Sequence, residues 1–410
     1  MKKYDISYNE AFYLADRNIT QIGSEIIPIT LAVGRVAAED IKARVDSPSI
    51  DASMKDGFAV ISDDVVGASE SSSVCLEIVG SVAAGGEIDD VLEKGKTIRV
   101  LTGAPLPKGA DAVLSDEFAK QDGSIIKAVA DAEKGRNILF RGEDVRVGEL
   151  LAKKGDELNP SIISLLVAGG LFQISVFKKP KVCLLATGDE VLLPGSDLPK
   201  GKLFASNIAL QQAWFESIGF EASLKLCKDT FTDIEESIKT MIKEYDVIIT
   251  SGGAWKGDRD LVVNVLDFLG WNLFFHRARM GPGKAVGMGI LNDKPIFCLP
   301  GGPPSNEMAF LMIAFPCVFK MAGYDRSPYI HLKGILDTEV KGQIDWTQFK
   351  HCMVKKDGRD FILSPIKLRS RLASMAKAQG LFIIPEGVET ILKGDYIDFI
   401  CLDKAVVALC

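Results

Sequence analysis

Between residues 181 and 322 the chain alternates short, nearly continuous apolar runs with longer amphipathic ones, and that alternation restricts the fold more than any other feature. "KVCLLATGDE" stays apolar until it ends in a polar loop. "SNIALQQAWFESIGF" follows with helical spacing, then "SLKLC", a further helix and "DVIITSGG". After a helix at "DLVVNVLDFLG" come "NLFFHRAR", "KPIFCLPGG" and a helix over 305–322. A strand apolar on both sides must be covered on both faces. The pattern therefore predicts a parallel sheet between two helical layers, a three-layer α/β/α domain over 178–324.

The flanks differ in kind. Residues 1–44 read as helical, in "SYNEAFYLADRNI" and then "LAVGRVAAEDIKA". From 47 to 143, short runs such as "GFAVIS", "SVCLEIVGSV", "TIRVL", "DAVLS" and "SIIKAVA" alternate with Gly and Pro turns, as in a β-domain. The helical pattern resumes at "NPSIISLLVAGG", with Asn159 and Pro160 as cap and first helical residue. The expected organisation is a helical domain of residues 1–46 plus 144–177 carrying an inserted β-domain, 47–143. The α/β domain follows at 178–324, and a last β-domain of short strands at 325–410. A chain of 410 residues holds roughly two to four domains.

Composition excludes some functions. A net charge of −7 argues against a general nucleic-acid binder. The start of the chain has lysines but no apolar segment like that of a secretion signal. The longest apolar run, "MAFLMIAFPCVF", falls short of the roughly 20 residues that span a bilayer. Eight scattered cysteines without a CxxC pair fit reduced thiols, so the expected location is the cytoplasm, with no membrane partner.

In an open parallel sheet, ligands bind beyond the carboxyl ends of the strands. Three such ends are unusual here: "ATGDE" (186–190), "TSGGAWKGDRD" (250–260) and "CLPGGPPSNEMAF" (298–310). Glycines let a backbone approach a ligand, and helix N-termini favour anions. Thr187, Gly188, Asp189, Ser251, Gly252, Gly253, Pro300, Gly301 and Ser305 are therefore candidate binding residues. Pro303 and Pro304 remove two amide donors, leaving the amides of Ser305 and Asn306 with the Ser305 hydroxyl, enough for one oxyanion. Asp189, Glu190, Asp258 and Asp260 follow strands on one sheet edge, and Asp229 follows another. Carboxylates beside an anion pocket suit Mg²⁺, although each alone is more often a cap or loop charge. Lys284 in "MGPGKAVGMG" can neutralise an anion, and Trp255 can stack on a planar ring or pack. In the β-domain, Asp56-Gly57 and Thr102-Gly103 mark turns, and "RGEDV", where the chain returns to the helical domain, carries Arg141 and Asp144.

These segments, in this order, resemble the molybdopterin molybdenumtransferase family (MoeA and the E-domain of gephyrin) over essentially the whole chain. The matching stretches are "SMKDGFAV", "RVLTGAPLP", "FRGEDV", "LLATGDEVLLPG", "TSGGAWKGDRD", "LPGGPPS" and "SRLASMAKAQGLFIIPEG". The resemblance implies a central MogA-like molybdopterin-binding domain and a C-terminal β-barrel-like domain. It implies that molybdate is inserted into adenylylated molybdopterin with release of AMP. By motif match Asp56, Thr102, Asp144, Glu190, Asp229, Asp260 and Lys284 fall at active-site positions. Asp260 is the first candidate Mg²⁺ ligand and Asp229 the second. A homodimer, with the β-domain of one copy facing the central domain of the other, is also implied, and a molybdopterin adenylyltransferase and recipient molybdoenzymes are the implied partners. Departures from the motifs occur at Trp255, Gly281, Gly302 and Gln379, where the family has serine, lysine, asparagine and asparagine. Arg277 or Arg279 is expected to restore the charge missing at Gly281. Three alternatives stay open: a tungstate-selective relative, a molybdopterin adenylyltransferase, and a non-catalytic molybdopterin-binding scaffold.

Overall fold

The computed structural model describes residues 3–252, 261–367 and 371–403. Two compact units emerge, one of residues 25–176 and the other of residues 1–24 with 177–410.

The 25–176 unit holds a six-stranded sheet, in order Ala112–Ser115, Gly57–Val60, Lys96–Val100, Val74–Val82, Ile125–Ala128, Ala119–Asp122. Gly57–Val60 is buried along its length because the sheet carries apolar clusters on both faces. Phe58 and Val60 belong to one cluster, and Ala59 to the other with Ile98 and Val113. The helix Pro160–Ala168 starts as its sequence predicts, with Asn159 Oδ1 accepting from the Ile162 amide at 2.9 Å and Pro160 in the first turn. Residues 31–44 depart from expectation. "LAVGRVAAEDIKA" begins on the last residue of a 3₁₀ turn, Ile29–Leu31, and contains a short strand at Ile41–Lys42 instead of an α-helix. Gly34, at φ 74°, breaks the helical path, and Arg35 and Ala37 spend their amides on Ala32 and Asp156 carbonyls.

The other unit opens with strand β1 (Lys3–Ser7) and helix α1 (Tyr8–Arg17), capped by the Ser7 hydroxyl. From Val182 onward, strands and helices alternate: β2 (Val182–Thr187), α2 (Ser206–Ser217), β3 (Ala222–Cys227), α3 (Phe231–Glu244), β4 (Val247–Ser251), α4 (Leu261–Phe268). Next come β5 (Asn272–Gly281), β6 (Gly287–Leu291), β7 (Lys294–Leu299), α5 (Pro303–Ala309), a π turn over Phe310–Ala314 and α6 (Phe315–Met321). The sheet order is β3-β2-β4-β7-β6-β5, with β1 alongside β5. Every residue of β2 and β4 is buried. Cys183 and Leu185 pack toward α3 and α4, with Ile238 and Leu266. On the opposite side Phe215 of α2 meets the rings of Phe310 and Phe315 at 5.4 and 5.3 Å between centroids. Both faces are covered, as the unbroken apolar runs require.

The sheet is not wholly parallel. The β3-β2-β4-β7 pairs are parallel, whereas β7-β6-β5 is an antiparallel meander. Its hairpin turns at Asn292-Asp293, φ 48° and 62°, the two-residue loop that matches strand twist. "GMGIL" lacks polar alternation and escapes notice as a strand.

The longer strands that follow are β8 (His331–Leu336), β9 (Thr347–Asp357), β10 (Asp360–Pro365), β11 (Gly380–Ile384) and β12 (Tyr396–Cys401), with a short antiparallel pair, Val340–Lys341 and Thr390–Ile391. They pair as β9-β10-β8-β12-β11 and β11 pairs back to β9, which closes the ring. Closure removes the exposed edges that short strands would otherwise present. This barrel joins the α/β sheet through β9 and β5, parallel at Met280↔Thr347 and Gly281↔Gln348. Among the described residues, no helix is long and apolar enough to cross a membrane.

The Asn159 cap is open to test. Asn159→Ala leaves the Ile162 amide without its acceptor, at a cost of about 1 kcal/mol. Hydrogen exchange at that amide is expected to accelerate about fivefold; an unchanged rate would show that the cap carries no weight.

Candidate functional site

The carboxyl ends of β2, β4 and β7 open into a cavity of about 750 Å³ in the unit containing the α/β sheet. Thr187, Gly188 and Glu190 reach it from the end of β2, Asp229 from the end of β3 and Gly252 from β4. Pro300, Gly301, Gly302 and Ser305 come from the corner between β7 and α5, and Lys284 from the loop after β5. Gly252 stands at φ 104°, and a Cβ there would lie 3.1 Å from the Thr187 carbonyl oxygen, so no other residue lets the two loops pass so closely.

The corner is held from behind by one buried side chain. Asn306 donates through Nδ2 to Ser251 Oγ at 3.1 Å and to the Pro300 carbonyl at 2.8 Å, and its Oδ1 accepts from Gln211 Nε2 at 2.7 Å. Asn207 adds bonds to Ser251 Oγ and the Gly301 carbonyl. These contacts give Ser251 a bracing position between the two loops; it is buried and absent from the cavity lining. The expectation that the Asn306 amide stays free for an anion is overturned, because it donates to the Gly302 carbonyl at 2.8 Å. Pro303 and Pro304 do open α5 as expected.

Charge is divided across the cavity. Asp229, Glu190 and nearby Asp189 form an acidic flank. Burial, reinforced by the Asp189 and Glu190 carboxylates, holds the Asp229 carboxyl above its ordinary range. Asp189 does not line the cavity; its carboxylate faces the Asp229 amide at 3.5 Å and its carbonyl accepts from Lys202. The opposite flank is basic and aromatic, with Lys284 Nζ 5.1 Å from the centre of the Trp346 ring and Lys350 close by. Arg277 and Arg279 do not supply the charge missing at Gly281. Arg277 pairs with Asp5 at 3.2 Å, and Arg279 with Glu386 at 2.8 Å, and neither reaches the cavity lining. Gln343, Trp346, Gln348 and Lys350, all near β9, were not legible as site residues. Gly253, Trp255, Lys256, Asp258, Arg259 and Asp260 lie outside the described residues.

Asp56, Thr102 and Asp144 belong to the 25–176 unit. There the Asp56 carboxylate accepts from both the amide and the hydroxyl of Thr102, at 2.7 and 2.8 Å, joining the two Gly-hinged turns into one exposed corner. Those two bonds, with the Arg99 charge nearby, lower the Asp56 pKa. Arg141 is tied to Asp46 at 2.7 Å, and Asp144 is exposed on the same loop.

Comparison with known proteins agrees with this architecture. Residues 6–170 match the model for the MoeA N-terminal region (domain I and II), and residues 183–320 the model described as "Probable molybdopterin binding domain". A Methanocaldococcus jannaschii protein whose name refers to molybdopterin biosynthesis is 30% identical over 383 residues, covering 91% of this chain and 90% of its own. The molybdopterin molybdenumtransferase of Staphylococcus epidermidis is 27% identical over 406 residues, covering 98% and 97%. Two crystal structures of the molybdopterin biosynthesis MoeA protein of Pyrococcus horikoshii superpose with TM-scores of 0.85 and 0.80. Their identities are 31% and 29%, over 97% of this chain and 99% and 100% of theirs.

The buried clamp yields a prediction. Asn306→Leu keeps the branched shape but strands the Pro300 carbonyl and Gln211 Nε2, and leaves Ser251 Oγ with its bond from Asn207 only. A loss of about 2–4 kcal/mol is expected, read as a lower thermal midpoint; an unaltered midpoint would mean that the corner holds itself. The 30% identity to the Methanocaldococcus jannaschii protein over 91% of this chain, the two family-model matches and the shared fold mean that this chain belongs to the MoeA family.

Proposed function

We propose that the chain inserts molybdate into adenylylated molybdopterin with release of AMP. As a MoeA-family member it acts in molybdenum cofactor biosynthesis as a transferase of molybdenum-containing groups. The observation carrying the finer reading is the single cavity where glycine-hinged strand ends meet acids on one flank and lysines on the other. A pterin phosphate ester linked to AMP presents an anionic phosphate bridge between two planar rings. Glycine corners admit such a bridge close to the backbone, and lysines balance its charge.

Roles follow from chemistry. Thr187, Gly188, Gly252, Pro300, Gly301 and Ser305 form the binding surface, with Ser251 bracing it and Gly253 continuing its loop. Lys284 balances phosphate charge. Asp56, Thr102 and Asp144 are further active-site residues by their motif match. Asp229, with Asp189 and Glu190 near it, presents hard oxygen donors of the kind a divalent cation takes, and burial first and those two carboxylates second hold its carboxyl above the ordinary range. Among the described residues no three acids converge closely enough to form a metal site, so the site would need a further ligand such as Asp260. Asp229 and Asp260 would hold Mg²⁺, which when bound supplies neutralisation of phosphate charge. The reading includes a homodimer. In the 25–176 unit Ile26, Leu31, Val33, Val167 and Phe172 are more than half exposed, an apolar surface that a second copy would cover.

The direct test mixes purified protein with adenylylated molybdopterin, Mg²⁺ and molybdate and follows AMP. Release above a protein-free control is expected. Asp260→Ala should lower it by about a hundredfold or more, and unaltered release would remove Asp260 from the metal site.

A second test uses the sign of the Asp229 shift. A raised carboxyl pKa means that the folded state holds the proton more tightly than the unfolded chain. The group therefore favours folding at low pH and disfavours it as pH rises through the folded pKa. Binding of Mg²⁺ competes with that proton. Added Mg²⁺ should raise the thermal midpoint at about pH 7 and do little near the ordinary carboxylate value of about 4. Equal stabilisation at both would separate Asp229 from the metal.

A further inference from the structure

The β9 wall of the cavity matches none of the strand-end motifs, yet it has the features of a built site. Gln348 and Lys350 lie two residues apart on β9 and therefore share a face, and Trp346 precedes them with the same spacing. All three line the cavity. Their neighbours of the other parity turn inward: Phe349 is buried, and His351 Nε2 meets Glu307 Oε2 at 2.7 Å, both side chains being almost wholly buried. Glu307 stands on α5 two residues after Ser305, so this pair fixes β9 against the helix that brings Ser305 to the cavity.

Two unmet polar requirements sit on that face. Gln348 is only 9% exposed, and its Oε1 has no hydrogen-bond partner among the described residues. Lys350 is half-buried, forms no ion pair among the described residues, and burial pulls its pKa below the ordinary lysine value. A half-buried ammonium without a counter-ion loses part of its hydration, and an arriving anion offsets that loss. Opposite Gln348 in the strand register is Gly281. A Cβ at Gly281 would lie 3.9 Å from the Trp346 ring and 4.0 Å from Gln348 Cγ, ordinary contact distances that leave room beside the lysine.

We propose that Lys350 and Gln348 form the oxyanion-recognising wall of this cavity, Lys350 supplying the charge for a tetrahedral dianion of the molybdate and tungstate class, with Ser305 facing the same space. This inference rests on the transferase reading and names the residue by which that substrate is selected. The space above Gly281 receives the oxyanion, and the positive charge comes from the barrel strand instead of the β5 loop. Gln348 meets an anion through its Nε2 hydrogens once the amide takes the matching orientation.

The test is equilibrium dialysis of the full chain against molybdate, with tungstate and sulfate in parallel, alongside AMP release. Lys350→Gln is expected to weaken molybdate binding roughly tenfold to a hundredfold. It should raise KM for molybdate by a similar factor while kcat at saturating molybdate stays within about threefold. Lys350→Arg should keep affinity within about threefold, and Gly281→Lys added to Lys350→Gln should restore most of it. Should Lys350→Gln lower the melting midpoint, Lys350→Met, which keeps the aliphatic stem, takes its place. Unchanged molybdate affinity in the neutral variant, with wild-type AMP release intact, overturns the assignment of Lys350 and leaves the reaction standing. A wild-type protein that neither takes up an oxyanion nor releases AMP overturns both.

Discussion

The cavity exists because Asn306 is hydrogen-bonded on both sides of its amide, deep between two strand ends. Ser251 ends β4 and Pro300 follows β7, and one side chain holds both while Gln211 of α2 holds the side chain. Glycine-rich corners are entropically loose, and a bare pair of them would not keep a common geometry. Placing the clamp behind the glycines leaves the cavity side of Gly252, Gly301 and Gly302 open to close backbone approach, so approach and rigidity are combined without competing for space. The buried amide is satisfied on the protein side, which makes the arrangement specific as well as stable.

Beyond the clamp, the electrostatic design is a split cavity. Acids gather after β2 and β3, where parallel neighbours bring the loops after Thr187 and Cys227 together. Cations gather where β5 meets the barrel. Burial and the neighbouring acids hold the Asp229 carboxyl up, and burial alone pulls Lys350 down, so a divalent cation on the one flank and an oxyanion on the other would each offset a separate electrostatic cost. Lys284 lying over Trp346 keeps its charge at the cavity wall while the indole face partly replaces water around it.

Much of this was legible in the sequence for a physical reason. Strands buried on both faces must be continuously apolar, so β2, β4 and β7 could be placed from composition along the chain, and their carboxyl ends followed. Asn159-Pro160 marked a helix start because capping is local chemistry. What escaped was non-local. "GMGIL" became β6 only through its hairpin with β7, whose Asn292-Asp293 turn is a short signal in an apolar context. "LAVGRVAAEDIKA" carries helical spacing, but Gly34 and its amide partners in a separate segment decide otherwise. Arg277 and Arg279 lie in sequence beside the cavity loop, yet the carboxylates of Asp5 and Glu386 draw them away.

The same argument explains why the cation on the far wall could not be found by proximity in sequence. Lys350 stands well downstream of Gly281, and only the short parallel bridge of β5 with β9 brings the two strands into register. A lysine on the β5 loop would be positioned by that loop alone. One on β9 is positioned by a closed barrel and by the His351–Glu307 pair, which ties the strand to the helix bearing Ser305. Moving the charge to the barrel therefore trades a local, flexible support for a long-range and stiffer one. The cavity then depends on the barrel for its chemistry as well as its walls, and a change that loosens β9 would reach the anion before it reached the strand ends of the α/β sheet.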